Sequence, residues 1–368
     1  MKTGAIGEVM TSLSKLVGTA LTLAAVASVG ASATSQAPAP QRTPPAARPA
    51  PQAPAYIQSR VTELGRGFNG QVGIAVRSID EGWSTGWKAD ELYPQQSVSK
   101  LWVAIAAMDA VDRGKVRLDD RVTLTRDDLT LFHQPIAALI LGNNNYTTTL
   151  ADLMVRQITE SDNTANDKLM RVVGGPDAVR ATIKAKHLGA IRFYNGERAL
   201  QSRIAGLIWS PSYSIGNAFY EARDALPSAV RKAAFERYVN DPYDGAAPSA
   251  IVNALARLKR GELLSPGSTT YLLDIMSHTK TGANRLKGGL AAGWVLNHKT
   301  GTGQVLGASQ AGYNDIGILT APDGRSYSVA VMIKLTSVPL PVRMELMNNV
   351  VRAVIAQHDM QYAVAAQQ

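Results

Sequence analysis

From Ala55 onward the spacing of apolar residues divides the chain into recognisable pieces. Ala55 to Phe68 has helical spacing. Gly70 to Ser78 (Gly-Gln-Val-Gly-Ile-Ala-Val-Arg-Ser) alternates as a strand does, and Asp80-Glu81-Gly82 turns it into a second strand near Trp83 to Trp87. A further helix is predicted where Lys100-Leu101-Trp102 runs into Val103-Ala104-Ile105-Ala106-Ala107-Met108. Between Asp112 and Asn144 the pattern breaks into short pieces. Helical rhythm resumes over Leu150 to Ile158, over Lys168 to Val173 before Gly174-Gly175-Pro176, and over Thr269 to Ser277. Gly293 to Gly303 reads as a strand. Asp315 to Leu319 and Tyr327 to Leu335 read as two more, joined by a turn at Ala321-Pro322-Asp323-Gly324-Arg325, and Pro341 to Gln357 closes the chain as an amphipathic helix. This order predicts a two-lobed α/β (α+β) fold. An antiparallel sheet flanked by N- and C-terminal helices is built from both chain ends, an all-helical lobe is inserted between them, and the active site lies in the cleft between the lobes.

Composition divides the N-terminal region differently. Residues 1–33 read as a signal peptide: Lys2 and Lys15 flank its start, Leu16 to Val29 is apolar and small, and Ala31-Ser32-Ala33 suits a signal peptidase. The run is too short and too rich in Ala and Gly to span a membrane, so export to the periplasm is expected, with no stable membrane anchor. Residues 34–54 form a Pro-rich linker, with seven of the eighteen prolines between Ala37 and Pro54. The remainder, 55–368, is long enough for one large domain or two lobes.

Charge and metal-ligand content exclude some functions. The formal charge is +9, of which the signal holds +1 and the linker +2, leaving +6 for the domain. No Lys/Arg-dense run with interleaved aromatics is present, so no nucleic-acid partner is expected. The chain has no cysteine, and its five histidines (His133, His187, His278, His298, His358) show no close pairing, so neither a metal nor a cofactor is expected.

Candidate chemistry begins at Gln95-Gln96-Ser97-Val98-Ser99-Lys100. Three residues apart at a helix start, the Ser97 hydroxyl and Lys100 amine project from one face of the first turn. An amine in a low-dielectric site can lose its proton and then accept one from the hydroxyl, and backbone N–H groups at the turn favour negative charge nearby. Ser-x-x-Lys occurs by chance roughly once or twice in a chain of this length, and Ser12-Leu13-Ser14-Lys15 is one such occurrence. Ser161-Asp162-Asn163 then supplies a hydroxyl, a carboxylate and an amide between two helices, a triplet that also suits a helix cap. Lys299-Thr300-Gly301-Thr302 ends a predicted strand with an ammonium and two hydroxyls, suited to a substrate carboxylate. Lys280-Thr281-Gly282 repeats those letters but follows the helix over Thr269 to Ser277, where lysine and glycine are expected as capping.

Ser-x-x-Lys, Ser-Asp-Asn and Lys-Thr-Gly in that order resemble the signature set of class A β-lactamases and penicillin-binding proteins. The likeness covers about residues 56 to 358. It takes in Thr148-Thr149-Leu150-Ala151-Asp152-Leu153, Thr164-Ala165-Asn166, Gly174-Gly175-Pro176, Thr281-Gly282-Ala283-Asn284-Arg285, Gly293-Trp294 and Asn314-Asp315-Ile316. It implies a serine hydrolase that opens a small-molecule β-lactam through an acyl-enzyme on Ser97. Lys100 and Glu197 would handle the proton, Ser161 would protonate the leaving nitrogen, and the backbone N–H groups of Ser97 and Thr302 would form the oxyanion hole. Asn163, Gln201, Lys299, Thr300 and Thr302 would bind substrate, Phe132 would supply the aromatic cleft wall, and a monomer is expected. Glu197, in Asn195-Gly196-Glu197-Arg198-Ala199-Leu200-Gln201, resembles the class A glutamate that hydrolyses the acyl-enzyme. Two positions depart from the family pattern: Gln201 replaces an asparagine, and Asn195 an arginine that pins this loop. An insertion at about 204–241 either lids the cleft or pads the surface. A D,D-peptidase or esterase on the same scaffold, or a penicillin sensor acylated once, uses the same serine and remains an alternative.

Overall fold

The computed structural model describes residues 51–362. The signal segment and the linker up to residue 50 lie outside the described residues. At the linker's end Gln52 bridges Ser84 and Ala53 is buried, so the domain's packing reaches back to Gln52, ahead of the expected start at Ala55.

The chain enters the fold as α1 (Ala55–Gly67), β1 (Gln71–Ser78) and β2 (Ser84–Trp87), and a 3-10 turn at Gln96–Ser99 then feeds α2 (Lys100–Asp112). The helical half follows. A small sheet of β3 (Arg121–Thr125) and β4 (Asn145–Thr149) brackets α3 (Ala137–Asn143). After it come α4 (Leu150–Val155), α5 (Asn163–Val172), α6 (Gly175–Ala185), α7 (Glu197–Ile204), α8 (Ala218–Asp224), α9 (Ser228–Asn240), α10 (Pro248–Lys259) and α11 (Pro266–Ser277). The chain returns to the sheet as β5 (Val295–Thr302), β6 (Val305–Leu306), β7 (Ser309–Thr320) and β8 (Ser326–Thr336), and ends in α12 (Leu340–Tyr362).

The main sheet runs β2-β1-β8-β7-β5 with every pair antiparallel and β6 beside β7. The pairing of β1 with β8 joins the two chain ends, as the order of elements predicts. Both faces of these strands are covered, so alternate residues enter different cores. Val329, Val331 and Ile333 pack with α1 and α12 through Ile57, Val61, Val350 and Val354. Ala330 and Met332 join the second core with Ile251, Val252 and Leu255 of α10. Helix α2 lies inside that second core and is buried without a break from Lys100 to Met108, which explains why its sequence is apolar on every side. Among the described residues no helix is long and apolar enough to cross a membrane.

One boundary moves. The helix expected from Lys168 begins at Asn163, because the Asp162 carboxylate caps it by accepting from the Ala165 N–H at 2.8 Å. The preceding turn, Arg156–Glu160, is widened to a π-helix and ends with Ser161 in the left-handed region at φ 62°. Ser-Asp-Asn is therefore a helix cap through its aspartate, which leaves the serine and asparagine free to point elsewhere.

Candidate active site

Ser97 lies in the 3-10 turn ahead of α2, and its Oγ accepts from Lys100 Nζ at 2.7 Å. Lys100 is fully buried. Its amine also reaches Asn163 Oδ1 (2.6 Å), the Ser161 carbonyl (3.2 Å) and Glu197 Oε1 (3.0 Å). With Ser161 Oγ at 3.5 Å an ammonium has three hydrogens for five oxygens, and of the two hydroxyls among them Ser97 Oγ is the nearer. The contact set therefore suits an amine that trades a proton with Ser97.

Across the cleft, strand β5 brings Lys299 Nζ to 2.9 Å from Ser161 Oγ and 3.1 Å from the Thr300 carbonyl. Burial first, and then the charge of Lys100, pull the Lys299 ammonium well below the ordinary lysine range. Gly301 permits the close approach of β5 to the Ser97 turn: a Cβ there would stand 2.3 Å from the Gln95 carbonyl oxygen. Arg285, whose role the sequence did not reveal, donates to the Gly301 carbonyl (3.0 Å), the Asn314 carbonyl (2.7 Å) and Thr302 Oγ1 (2.5 Å). Arg285 and the end of this strand thus bring guanidinium, amine and hydroxyl groups together, a set matched to a carboxylate.

Glu197 opens α7 and is buried against Lys100. Its loop is pinned without the arginine that Asn195 replaces. Asp167 on α5 accepts from the N–H of Glu197 (2.9 Å) and of Arg198 (3.3 Å), while Arg180 reaches Asn195 Oδ1 (3.1 Å) and the carbonyls of Phe193 (3.2 Å) and Tyr194 (3.1 Å). Gly196 sits at φ 85°, and a Cβ there would meet Met170 Cε at 2.8 Å and Asp167 Oδ1 at 2.9 Å. Gln201, one turn beyond Glu197, donates to Glu197 Oε2 at 3.2 Å.

Ser97, Ser161, Asn163, Glu197, Gln201, Thr300 and Thr302 line one cleft of about 640 Å³, and Lys100 and Lys299 lie buried beneath it. With this geometry comes a match to a family model described as "Beta-lactamase enzyme family" over residues 56–358. The chain belongs to the β-lactamase enzyme family. Among its relatives is Beta-lactamase VEB-1 of Pseudomonas aeruginosa, 27% identical over 266 residues, which covers 72% of this chain and 78% of the relative. Two solved structures share the fold. A β-lactamase from Chitinophaga pinensis DSM 2588 gives a TM-score of 0.68 at 26% identity, covering 82% of this chain and 99% of that one. An ancestral class A β-lactamase gives 0.65 at 29%, covering 82% and 99%.

Part of the segment over 204–241 forms a cleft wall. Helix α8 brings Tyr220 and Arg223 to the opening, where they line it with Phe132 and His133. Phe132 does stand at the cleft; it is held in the left-handed region at φ 63° and packs edge-on against Phe219 at 4.9 Å. Lys280-Thr281-Gly282 proves mixed. Lys280 is an outer residue paired with Glu160 at 2.8 Å, but Thr281 and Gly282 line the cleft, and Thr281 Oγ1 lies 2.7 Å from Thr300 Oγ1. The sequence reading also missed Asp167, Arg180, Gln96 and Gln304. Asp167 had a signal, since it stands four residues beyond Asn163 on the same helix face; the others meet the site through contacts too distant in sequence to leave one. Among the described residues no group of three or more His, Cys, Asp or Glu is placed to hold a metal ion.

Proposed function

We propose that this family member hydrolyses the amide of a β-lactam through an acyl-enzyme on Ser97, with Glu197 assisting deacylation. The observation that carries this reading is the single buried amine of Lys100, 2.7 Å from the Ser97 hydroxyl and 3.0 Å from Glu197. The free amine of Lys100 accepts the Ser97 proton as Oγ attacks the lactam carbonyl. The N–H groups of Ser97 and Thr302 stabilise the oxyanion. Collapse breaks the C–N bond, and the ring nitrogen takes its proton from Ser161, which Lys299 holds at 2.9 Å and which recovers the Ser97 proton from the Lys100 ammonium, 3.5 Å away. Lys299, Thr300 and Thr302, supported by Arg285, bind the substrate carboxylate, and Asn163 binds the side-chain amide. Glu197 then removes a proton from water as that water attacks the ester, and Ser97 leaves with its hydrogen restored. The protein is exported through residues 1–33 and acts in the periplasm as a monomer.

Intact-mass spectrometry with a penicillin tests the nucleophile. The parent protein is expected to gain the mass of one penicillin transiently, and Ser97→Ala to gain none. An adduct that survives in Ser97→Ala places the nucleophile elsewhere.

A further inference from the structure

We infer that Tyr238, carried by the inserted helix α9, is a positioning residue for deacylation, acting through Gln96 to fix the Gln201 amide that faces Glu197. The inference rests on the β-lactamase reading and extends it to a part of the chain outside the motifs.

The groups form one directed hydrogen-bond chain, and all of them are buried: Gln96, Gln201, Tyr238 and Asp244. The Tyr238 hydroxyl donates to Asp244 Oδ1 at 3.0 Å. The phenol oxygen then accepts from Gln96 Nε2 at 2.6 Å, which turns Gln96 Oε1 toward Gln201 Nε2 at 2.9 Å. Gln201 in turn presents N–H to Glu197 Oε2 at 3.2 Å, while its own Oε1 accepts from Gln304 Nε2 at 3.0 Å. Reversing Gln201 would set its carbonyl against the Gln96 carbonyl and the Glu197 carboxylate, and reversing Gln96 would set its NH2 against that of Gln201, costly arrangements in a buried site. The second oxygen of Asp244 accepts the Gln96 backbone N–H at 2.7 Å and holds that residue at φ 54° immediately before Ser97. That backbone bond does not pass through Tyr238. The phenol therefore bears on the Glu197 arm and leaves the Ser97 arm in place.

Steady-state kinetics with a chromogenic cephalosporin separate the two arms, because slowed deacylation lowers kcat and KM together while kcat/KM reports acylation. Tyr238→Phe is expected to lower kcat and KM in parallel by about tenfold, the worth of one buried hydrogen bond, with kcat/KM held within about twofold. Gln96→Met cuts the same chain nearer Gln201 and should do likewise, and it carries the test should Tyr238→Phe fail to fold. The double variant should be no slower than the slower single variant. An unchanged kcat, a kcat/KM that falls with kcat, or losses that multiply would each overturn the inference. A parent protein that forms no acyl-enzyme overturns the β-lactamase reading instead, an outcome read from the parent alone and distinct from any ratio between variants.

Discussion

The two halves of the cleft are held in place by different means. Ser97 and Lys100 stand at the head of a helix buried on every side, and Lys299 and Thr300 lie on a strand paired along its length with β7. Backbone hydrogen bonds and packed cores position that half. Glu197 instead opens an eight-residue helix whose loop is tied down by side chains: Asp167 and Arg180 at its start, Gln96 and Gln304 through Gln201. The proposed nucleophile takes its position from the fold, while the proposed deacylating carboxylate depends on polar contacts reaching across more than a hundred residues, such as Gln96 with Gln201. Damage to the second half should therefore slow deacylation before it touches acylation.

The largest effect is expected on the first half. Lys100→Ala removes the amine shared by Ser97, Asn163 and Glu197, and acylation measured by stopped flow with a penicillin should fall about 10³-fold, within the usual range for a lost general base. A loss below tenfold would mean that the Ser97 half does not depend on this amine. Gly196→Ala strikes the second half. With φ at 85° and Met170 and Asp167 in the way, it should cost about 1–3 kcal/mol in denaturant unfolding and depress kcat more than kcat/KM. Equal losses in both would erase the contrast between the halves.

The smallest expected effect is on pH dependence. Burial first, and then the charge of Glu197, raise Asp244 to about 7 from an ordinary 3.8, against the lowering effect of bonds from Gln96 and Tyr238. The fold thus favours the protonated acid. Its contribution to stability is present below the unfolded value and is lost as pH rises through about 7. Between about pH 5 and pH 8 the melting temperature of the parent should fall relative to that of Asp244→Asn, and parallel curves would show that this carboxylate does not bear on the loop's anchoring.

What the sequence revealed follows the same division. Ser97 with Lys100, Ser161 with Asn163, and Lys299 with Thr300 are each set by spacing within one turn or one strand end, so local pattern found them, as alternation found β1 and β8. The helix at Asn163 was expected too late because polar residues fill its first turn and its cap is itself a candidate site residue. Tyr238, Gln304 and Arg285 left no such trace, since each joins the cleft only through tertiary contact. Arg285, for example, stacks its guanidinium 3.8 Å over the Tyr313 ring while reaching Thr302. The inserted segment could be located from its length but not oriented, because nothing local in Phe219 or Tyr220 says that they face Phe132.

The most direct test is intact-mass spectrometry of Glu197→Ala beside the parent during reaction with a chromogenic cephalosporin. The expected result is rapid turnover with little adduct in the parent and a stalled acyl-enzyme on Ser97 in the variant. A stable adduct in both proteins would contradict the account and make this chain a penicillin-acylated peptidase or sensor; turnover that continues in the variant would assign deacylation to a group other than Glu197.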